Sequence, residues 1–153
     1  MNVKQHSFDT PMKASNLHDA WASPDNTRLT PKQFSFRLPI HVAAKIAALC
    51  DMYPQKSRTQ IISDLLTSAL DELEQNLPEA IGCGLSPEEE HQERMVAQHL
   101  GHDYAPIFQL GGPRGEFRRL ANQHFKALEQ ELGNEKPEPL FEQMYVTEDK
   151  FKK

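Results

Sequence analysis

Polar and apolar side chains alternate strictly over a short stretch near residue 35. The alternating positions are Gln33, Ser35 and Arg37 on one side and Phe34, Phe36 and Leu38 on the other. Successive side chains of a strand point to opposite faces, so this period of two predicts a half-buried strand over residues 32–38. Glutamine can bond adenine N6 and N7, arginine can bond guanine O6 and N7, and serine can donate or accept. The polar face therefore carries three candidate base-contacting side chains.

A second group of polar residues lies where a helix is predicted to begin. Ser57 precedes Gln60 by three residues, which is the spacing of a capping box. The free N–H groups and the dipole at a helix start attract an anion such as phosphate. The candidate phosphate-contacting residues are Lys56, Ser57, Arg58 and Thr59.

Two amphipathic helices are predicted to follow the strand, over residues 40–53 and 58–75. The first carries an apolar stripe, and the second a wider one, comprising Ile61, Ile62, Leu65, Leu66, Ala69, Leu70 and Leu73. A lone strand leaves backbone groups unpaired, and about 45 residues cannot close a core over two such stripes. A second copy would pair the strands antiparallel and cover both stripes, so the sequence predicts a homodimer.

The run Gln-Phe-Ser-Phe-Arg-Leu-Pro, then a helix, then Lys-Ser-Arg-Thr-Gln-Ile-Ile resembles the ribbon-helix-helix family of Arc- and MetJ-type repressors. The resemblance covers residues 31–77 and implies a mainly α fold, in which one short strand and two helices form an intertwined dimer. It also implies base contacts by Gln33, Ser35 and Arg37, and a phosphate held by the amides of Ser57, Arg58 and Thr59. The family often has a glycine between the helices, where this chain has Pro54-Gln55-Lys56.

The rest of the chain is predicted to flank this domain. We expect a flexible arm over 1–30, a helical C-terminal extension over 78–139, and a tail over 140–153. Within the extension, helices are predicted over 87–100 and 114–132, with loops over 78–86 and 101–113. Trp21 has two interpretations, an incidental exposed aromatic or a docking contact with the folded part or a partner.

Composition limits the class of protein. Residues 78–153 hold fourteen acidic and nine basic side chains, which accounts for the whole net charge of −5. Two cysteines without zinc spacing fit a reducing cytoplasm. The N-terminus carries no apolar run, and no window approaches the ~20 apolar residues of a membrane span. A cytoplasmic, bacterial protein is therefore expected, without membrane association.

Weaker patterns leave alternatives open. His99, His102 and Asp103 could hold a metal or simply be solvated, and we predict no metal site. Cys83, between two glycines, could be a redox thiol or an ordinary loop residue. The arginines of the last predicted helix could contact phosphate or lie on a solvated face; they are Arg114, Arg118 and Arg119.

The leading hypothesis is a DNA-binding transcriptional regulator, a repressor, which reads the major groove of double-stranded DNA with a dimeric ribbon. One alternative is an antitoxin, with the same head and a toxin-binding C-terminal region that includes a detached apolar tail at 140–146. Another is a dimeric interaction module that binds no DNA. No nucleophile, base and orienting group can be assembled, and no phosphate loop is present. We therefore expect neither an enzyme nor a cofactor.

Overall fold

The computed structural model describes residues 13–21, 28–30 and 32–152. The chain forms two compact units, Met1–Leu73 and Glu74–Lys153, which we call the first and the second unit and describe separately. Within the described residues the chain is mostly helical, with five α-helices and one three-stranded antiparallel sheet. The prediction of a mainly helical chain is confirmed at this level, whereas the sequence did not predict the sheet.

A short helix precedes the predicted strand and docks onto the first unit. A 3-10 turn at Ala14–Asn16 leads into α1, Leu17–Trp21. Leu17 and Trp21 are each 4% exposed, and together with Ile61 they form the buried core of this unit. For Trp21 the docking contact is therefore the interpretation that the structure supports.

The predicted flexible arm is wrong where this helix forms, over residues 14–21. A helix of five residues is too short to be stable alone, so it depends on the buried side chains Leu17 and Trp21. Residues 1–12 and 22–27 of the predicted arm lie outside the described residues.

Two longer helices follow, as predicted. α2 spans Ile40–Met52, begins directly after Pro39 and stops before Pro54. α3 spans Arg58–Asn76, so both helices agree with the sequence-based bounds within one residue. Proline favours a helix start, because its missing N–H is not needed there, and it disfavours helical backbone in the residue before it.

The second unit contains the sheet. Its elements are β1 (Ala80–Gly84), α4 (Pro87–Leu100), β2 (Ile107–Gly111), α5 (Gly112–Glu131) and β3 (Tyr145–Thr147). The strand order is β1-β2-β3, with both pairs antiparallel. The predicted loops over 78–86 and 101–113 are therefore wrong at residues 80–84 and 107–113, where β1, β2 and the start of α5 lie, and the predicted helical extension over 78–139 also contains two strands.

Two glycines that suggested a loop instead permit close strand packing. A Cβ atom at Gly82 would lie 2.6 Å from the carbonyl oxygen of Gln109, and one at Gly111 would lie 2.7 Å from the Cα atom of Gly82. Both distances are shorter than any side chain tolerates, so β1 and β2 approach this closely only without side chains here. The pairing register also shifts between Ile81 and Gly84.

Caps at both ends define α4. The Ser86 hydroxyl accepts from the backbone N–H of Glu89, and the Glu89 carboxylate accepts from the backbone N–H of Ser86. Gly101 closes the helix in the left-handed conformation, with a φ of 76°. The predicted bounds 87–100 are confirmed.

The C-terminal segment is fixed to α5 and to the sheet. The Asn122 side chain donates to the carbonyl oxygen of Phe141 (2.9 Å) and accepts from its backbone N–H (2.7 Å). β3 then pairs with β2, and Val146 is 4% exposed. The apolar tail that the sequence suggested to be detached is therefore part of the second unit.

Two of the three arginines of α5 form largely buried ion pairs within the second unit. Arg114 donates to Glu74 (2.7 Å) and to Glu79, and Arg118 also donates to Glu74 (2.6 Å). Lys150 completes the group by pairing with Glu79. Arg114 and Arg118 thus have neither of the roles considered from the sequence, phosphate contact or a solvated face.

Stability of the second unit should fall in acid. Burial raises the pKa of Glu74, but hydrogen bonds from Arg114 and Arg118 outweigh it and leave the pKa below its ordinary value of 4.5. The hydrogen bond from Lys150 chiefly lowers the pKa of Glu79. A carboxylate with a lowered folded-state pKa stabilises the protein above its unfolded pKa, and this stability is lost as pH falls through the folded value.

We therefore expect the free energy of unfolding of the second unit to be lower at about pH 3 than at about pH 6, as measured by urea titration. Glu74→Gln should reduce this pH dependence. An unchanged dependence in that variant would contradict a contribution from Glu74.

No helix among the described residues combines the length and the apolar character needed to cross a membrane.

Candidate nucleic-acid interface

The segment predicted as a strand has no regular secondary structure in the single chain. Residues 33–39 follow no strand or helix pattern, so the predicted strand over 32–38 is not observed as such. A strand is defined by hydrogen bonds to a neighbour, and the sequence predicted that neighbour in a second copy of the chain. The segment ends at Pro39, where α2 begins.

The apolar side chains of this segment nevertheless have the arrangement expected for an extended chain. The rings of Phe34 and Phe36 stack in parallel, with centroids 6.4 Å apart and an interplanar angle of 6°. Two residues of a strand rise by about 6.6 Å, so this spacing is that of neighbours on one face. Phe34 is 65% exposed, Phe36 71% and Leu38 46%. An apolar face is therefore formed but not covered.

The three candidate base-contacting residues are accessible. Gln33, Ser35 and Arg37 are all exposed. They occupy the positions between the apolar residues, so an extended backbone presents them on the opposite face. The structure thus leaves all three available to a ligand.

The start of α3 has the predicted cap. The Ser57 backbone N–H donates to Oε1 of Gln60 (2.9 Å), and the Gln60 backbone N–H donates to the Ser57 hydroxyl (3.1 Å). The Ser57 N–H is therefore already bonded within the cap, so it is not one of the groups that would bind a phosphate. The backbone N–H groups of Arg58 and Thr59 are the remaining candidates for phosphate binding. They lie in the first turn of the helix, where no carbonyl one turn earlier can accept their hydrogen bonds.

The side chains around this helix start are basic and hydroxylated. Arg58, Thr59 and Ser57 are exposed, and Lys56 is partly buried. The backbone N–H of Lys56 donates to the carbonyl oxygen of Tyr53 (3.0 Å), which fixes the turn between α2 and α3. The turn through Pro54-Gln55-Lys56 therefore forms without a glycine.

A long apolar face of the first unit is also uncovered. Leu66, Leu70 and Leu73 are each 50% exposed. Their spacing of three and four residues places them on one side of α3. Exposed apolar side chains that recur along one face indicate an association surface rather than scattered surface residues.

Metal binding has no support in the described part of the chain. No group of three or more His, Cys, Asp or Glu side chains lies there in an arrangement that could hold a metal ion. His102 Nδ1 lies 3.4 Å from the backbone carbonyl oxygen of Asp103. Cys83 is an exposed free thiol on β1.

Two polar contacts of the first unit could not be predicted from the sequence. The indole N–H of Trp21 donates to the Asp64 carboxylate (2.7 Å), although the two residues are 43 positions apart. His18 Nδ1 lies 2.6 Å from the Tyr53 hydroxyl. No spacing pattern marks such pairs. Trp21, the single tryptophan of the chain, was the only available sign of a docking site.

Comparison of the chain with known protein families, with curated proteins and with solved structures finds no match. What the interface binds is therefore inferred from the residues of this chain.

Proposed function

We propose that the chain is a DNA-binding transcriptional regulator, a repressor, whose first unit forms a ribbon-helix-helix homodimer. The observation that carries this proposal is the exposed segment 33–38, which has apolar residues on one face and Gln33, Ser35 and Arg37 on the other. Two such segments, paired antiparallel, satisfy their backbone groups and bury their phenylalanines together. The resulting two-stranded ribbon has the dimensions of the DNA major groove.

The helix start supplies a second, different contact. Arg58 and Thr59 are the first two residues of α3, where backbone N–H groups have no carbonyl partner within the helix, and Lys56 precedes them by two residues. A DNA phosphate bound at this helix start would position the protein on the duplex without contributing sequence specificity, while the ribbon would contact the bases. The net charge of −5 does not oppose this assignment, because all of the excess acid lies in residues 78–153.

The direct test is selection of bound double-stranded DNA from a random pool with the full chain. The proposal expects a recurrent sequence in two halves related by symmetry, because a dimer with a two-fold axis reads a repeated site. A protein that enriches no sequence while remaining dimeric would favour a dimeric interaction module without DNA binding.

Two substitutions should affect DNA binding differently. Arg37→Ala should weaken binding to the selected site by ~1–3 kcal/mol and relax specificity at one position in each half-site. Lys56→Ala should weaken binding to all sequences and reduce the salt slope by about one, because it removes a phosphate contact. Fluorescence anisotropy over a salt series, with wild type and both variants, measures these effects. Intact specificity in Arg37→Ala would exclude direct readout by the ribbon.

A second candidate function is toxin neutralisation by the second unit. One observation favours it: Met95, Val96 and Leu100 on α4 are each more than half exposed, at 53%, 52% and 64%. The segment 140–146 no longer supports it, because the sheet and Asn122 hold that segment. A toxin encoded beside this gene, and co-purification with its product, would establish this role in addition to DNA binding.

A further inference from the structure

α4 is held to the second unit along one side. Of its residues, Ala97 is buried and Glu90 is partly buried. The Arg94 guanidinium lies over the Tyr104 ring, 4.5 Å from its centroid, and donates to the Glu90 carboxylate (2.7 Å). Glu90, Arg94 and Ala97 recur at spacings of four and three residues, so they share one side of the helix. The residues on the other sides of α4 are exposed.

Apolar residues occupy a second side of α4 in its last turns. Met95, Val96 and Leu100 are each more than half exposed. Neighbouring apolar side chains that stay exposed on one element indicate a surface for another protein rather than scattered surface residues. The α4 face, as we call it, is the half of the helix circumference that also includes Glu88, Glu89, Gln92, Glu93 and His99.

The α4 face is acidic nearer to the start of the helix. Glu89 and Glu93 each lie two turns before an apolar residue, Val96 and Leu100, so acidic and apolar side chains follow one line. Attraction to the helix dipole accounts for acids of the first turn, such as Glu89, but it falls off beyond that turn and does not account for Glu93. The face therefore has an apolar half and a negatively charged half, with His99 as its only basic residue.

This charge determines which partner the α4 face fits. Repulsion between carboxylates and phosphates disfavours DNA. A second copy would bring glutamates against glutamates, with only His99 of each copy to offset them, and residues 78–153 already hold the whole net charge of −5. A partner with basic residues beside an apolar cluster would complement both halves of the face.

We infer that the α4 face binds a basic amphipathic helix of another protein, with apolar side chains against Val96 and Leu100 and with Lys or Arg against Glu89 and Glu93. An antiparallel helix would place its basic residues in its own C-terminal half, where the helix dipole also favours them. The inference deepens the second candidate function by describing the chemistry of the partner, and in that respect rests on it. It does not require DNA binding by the first unit.

A designed probe peptide tests this inference with the full chain. The peptide has about eighteen residues, enough for a helix in water, with leucines on one side of its N-terminal half and lysines on the same side of its C-terminal half. A matched peptide carries glutamate in place of each lysine. Fluorescence anisotropy should find the basic peptide bound at least about tenfold more tightly at low salt. The difference should narrow at high salt, because salt screens exposed charges.

Two variants of the chain, each with a matched control, locate the bound peptide. Leu100→Ser should weaken binding about tenfold, because the burial of this side chain is lost. Leu132→Ser, at another exposed leucine of the same unit, should stay within about twofold of wild type. Glu93→Gln should weaken binding about threefold at low salt, whereas Glu142→Gln, also at an exposed carboxylate, should not. Circular dichroism should show the wild-type helix content in all four variants.

Each outcome supports or overturns the inference. Selective binding of the basic peptide, weakened by Leu100→Ser and Glu93→Gln but not by the controls, supports it. Equal binding of both peptides, no binding, or binding that these two variants leave unchanged overturns it. It is also overturned if sedimentation equilibrium shows self-association of the wild-type chain that Leu100→Ser weakens, because a second copy would then occupy the face.

Failure of either proposed function remains distinguishable from failure of this inference. Leu100→Ser should bind the selected DNA within about twofold of wild type, so loss of the ribbon hypothesis would appear in DNA binding and not in peptide binding. Absence of a toxin gene beside this one would remove the second candidate function, while the peptide measurements would still decide what the α4 face binds.

Discussion

Phe36→Asp is expected to raise the dimer dissociation constant about 10²- to 10⁴-fold. Full burial of a phenylalanine contributes roughly 1.5–3 kcal/mol, and each dimer would bury two copies. The sum, about 3–6 kcal/mol, corresponds to two to four powers of ten. Phe36 is 71% exposed in the single chain, so the substitution should cost the isolated fold little. Its whole effect should therefore appear in association.

Gln33→Asp is the matched control, since it adds the same charge to the same segment on the opposite face. Sedimentation equilibrium should find this variant dimeric, while its binding to the selected DNA falls. If Phe36→Asp dimerises as wild type does, the apolar face of the segment is not the dimer interface. The hypothesis that two such segments pair into a ribbon would then be wrong.

Arg114→Met should lower the free energy of unfolding of the second unit by about 3 kcal/mol. Removing one partner of a buried ion pair costs ~3–5 kcal/mol, because the remaining charge stays buried without compensation. Here Glu74 keeps Arg118 and Glu79 keeps Lys150, so we expect the lower end of that range. The side chains of Arg114 and Glu74 are only 15% and 7% exposed, so water screens the lost pair poorly.

Arg119→Met provides the comparison on the same helix. Arg119 pairs with Glu116, but these side chains are 60% and 57% exposed. Water and salt screen exposed pairs, which therefore contribute little, so this variant should unfold nearly as wild type does in urea. If both substitutions lowered the free energy of unfolding equally, burial of the Arg114 ion pairs would not be the reason for their contribution to stability.

The helices could be predicted because their ends carry local chemistry. Pro39 and Pro54 bracket α2, and the capping boxes at Ser57 and Ser86 mark the starts of α3 and α4. Caps and proline act within one turn, so a single sequence contains all the information needed. The observed bounds of these three helices consequently differ from the predictions by one residue at most.

The strands of the second unit could not be predicted, because their signals are not local. β1 reads Ala-Ile-Gly-Cys-Gly, which has no alternation and two residues typical of loops. Gly82 is explained only by the backbone of β2, which lies nearly thirty positions later. The Glu74–Arg114 pair likewise joins residues 40 positions apart. Periodicity carries no trace of such partners.

The candidate interface could be predicted from the sequence only in part. Alternation predicted which side chains of 33–38 share a face, and the parallel stacking of Phe34 and Phe36 agrees with it. The cap at Ser57 was also predicted, but the structure adds that its own N–H is already bonded to Gln60. The strand itself depends on a second chain, so its existence stays a prediction.

The exposed phenylalanines have a consequence for the protein at high concentration. Short segments of alternating apolar residues can stack into amyloid when many copies meet without their proper partner. Arg37 interrupts this segment with a charge, Lys32 precedes it and Pro39 ends it. Charges and prolines in such places act as gatekeepers against open-ended stacking. Arg37 would thus serve twice, in contact with DNA and as a guard against fibre formation during overproduction.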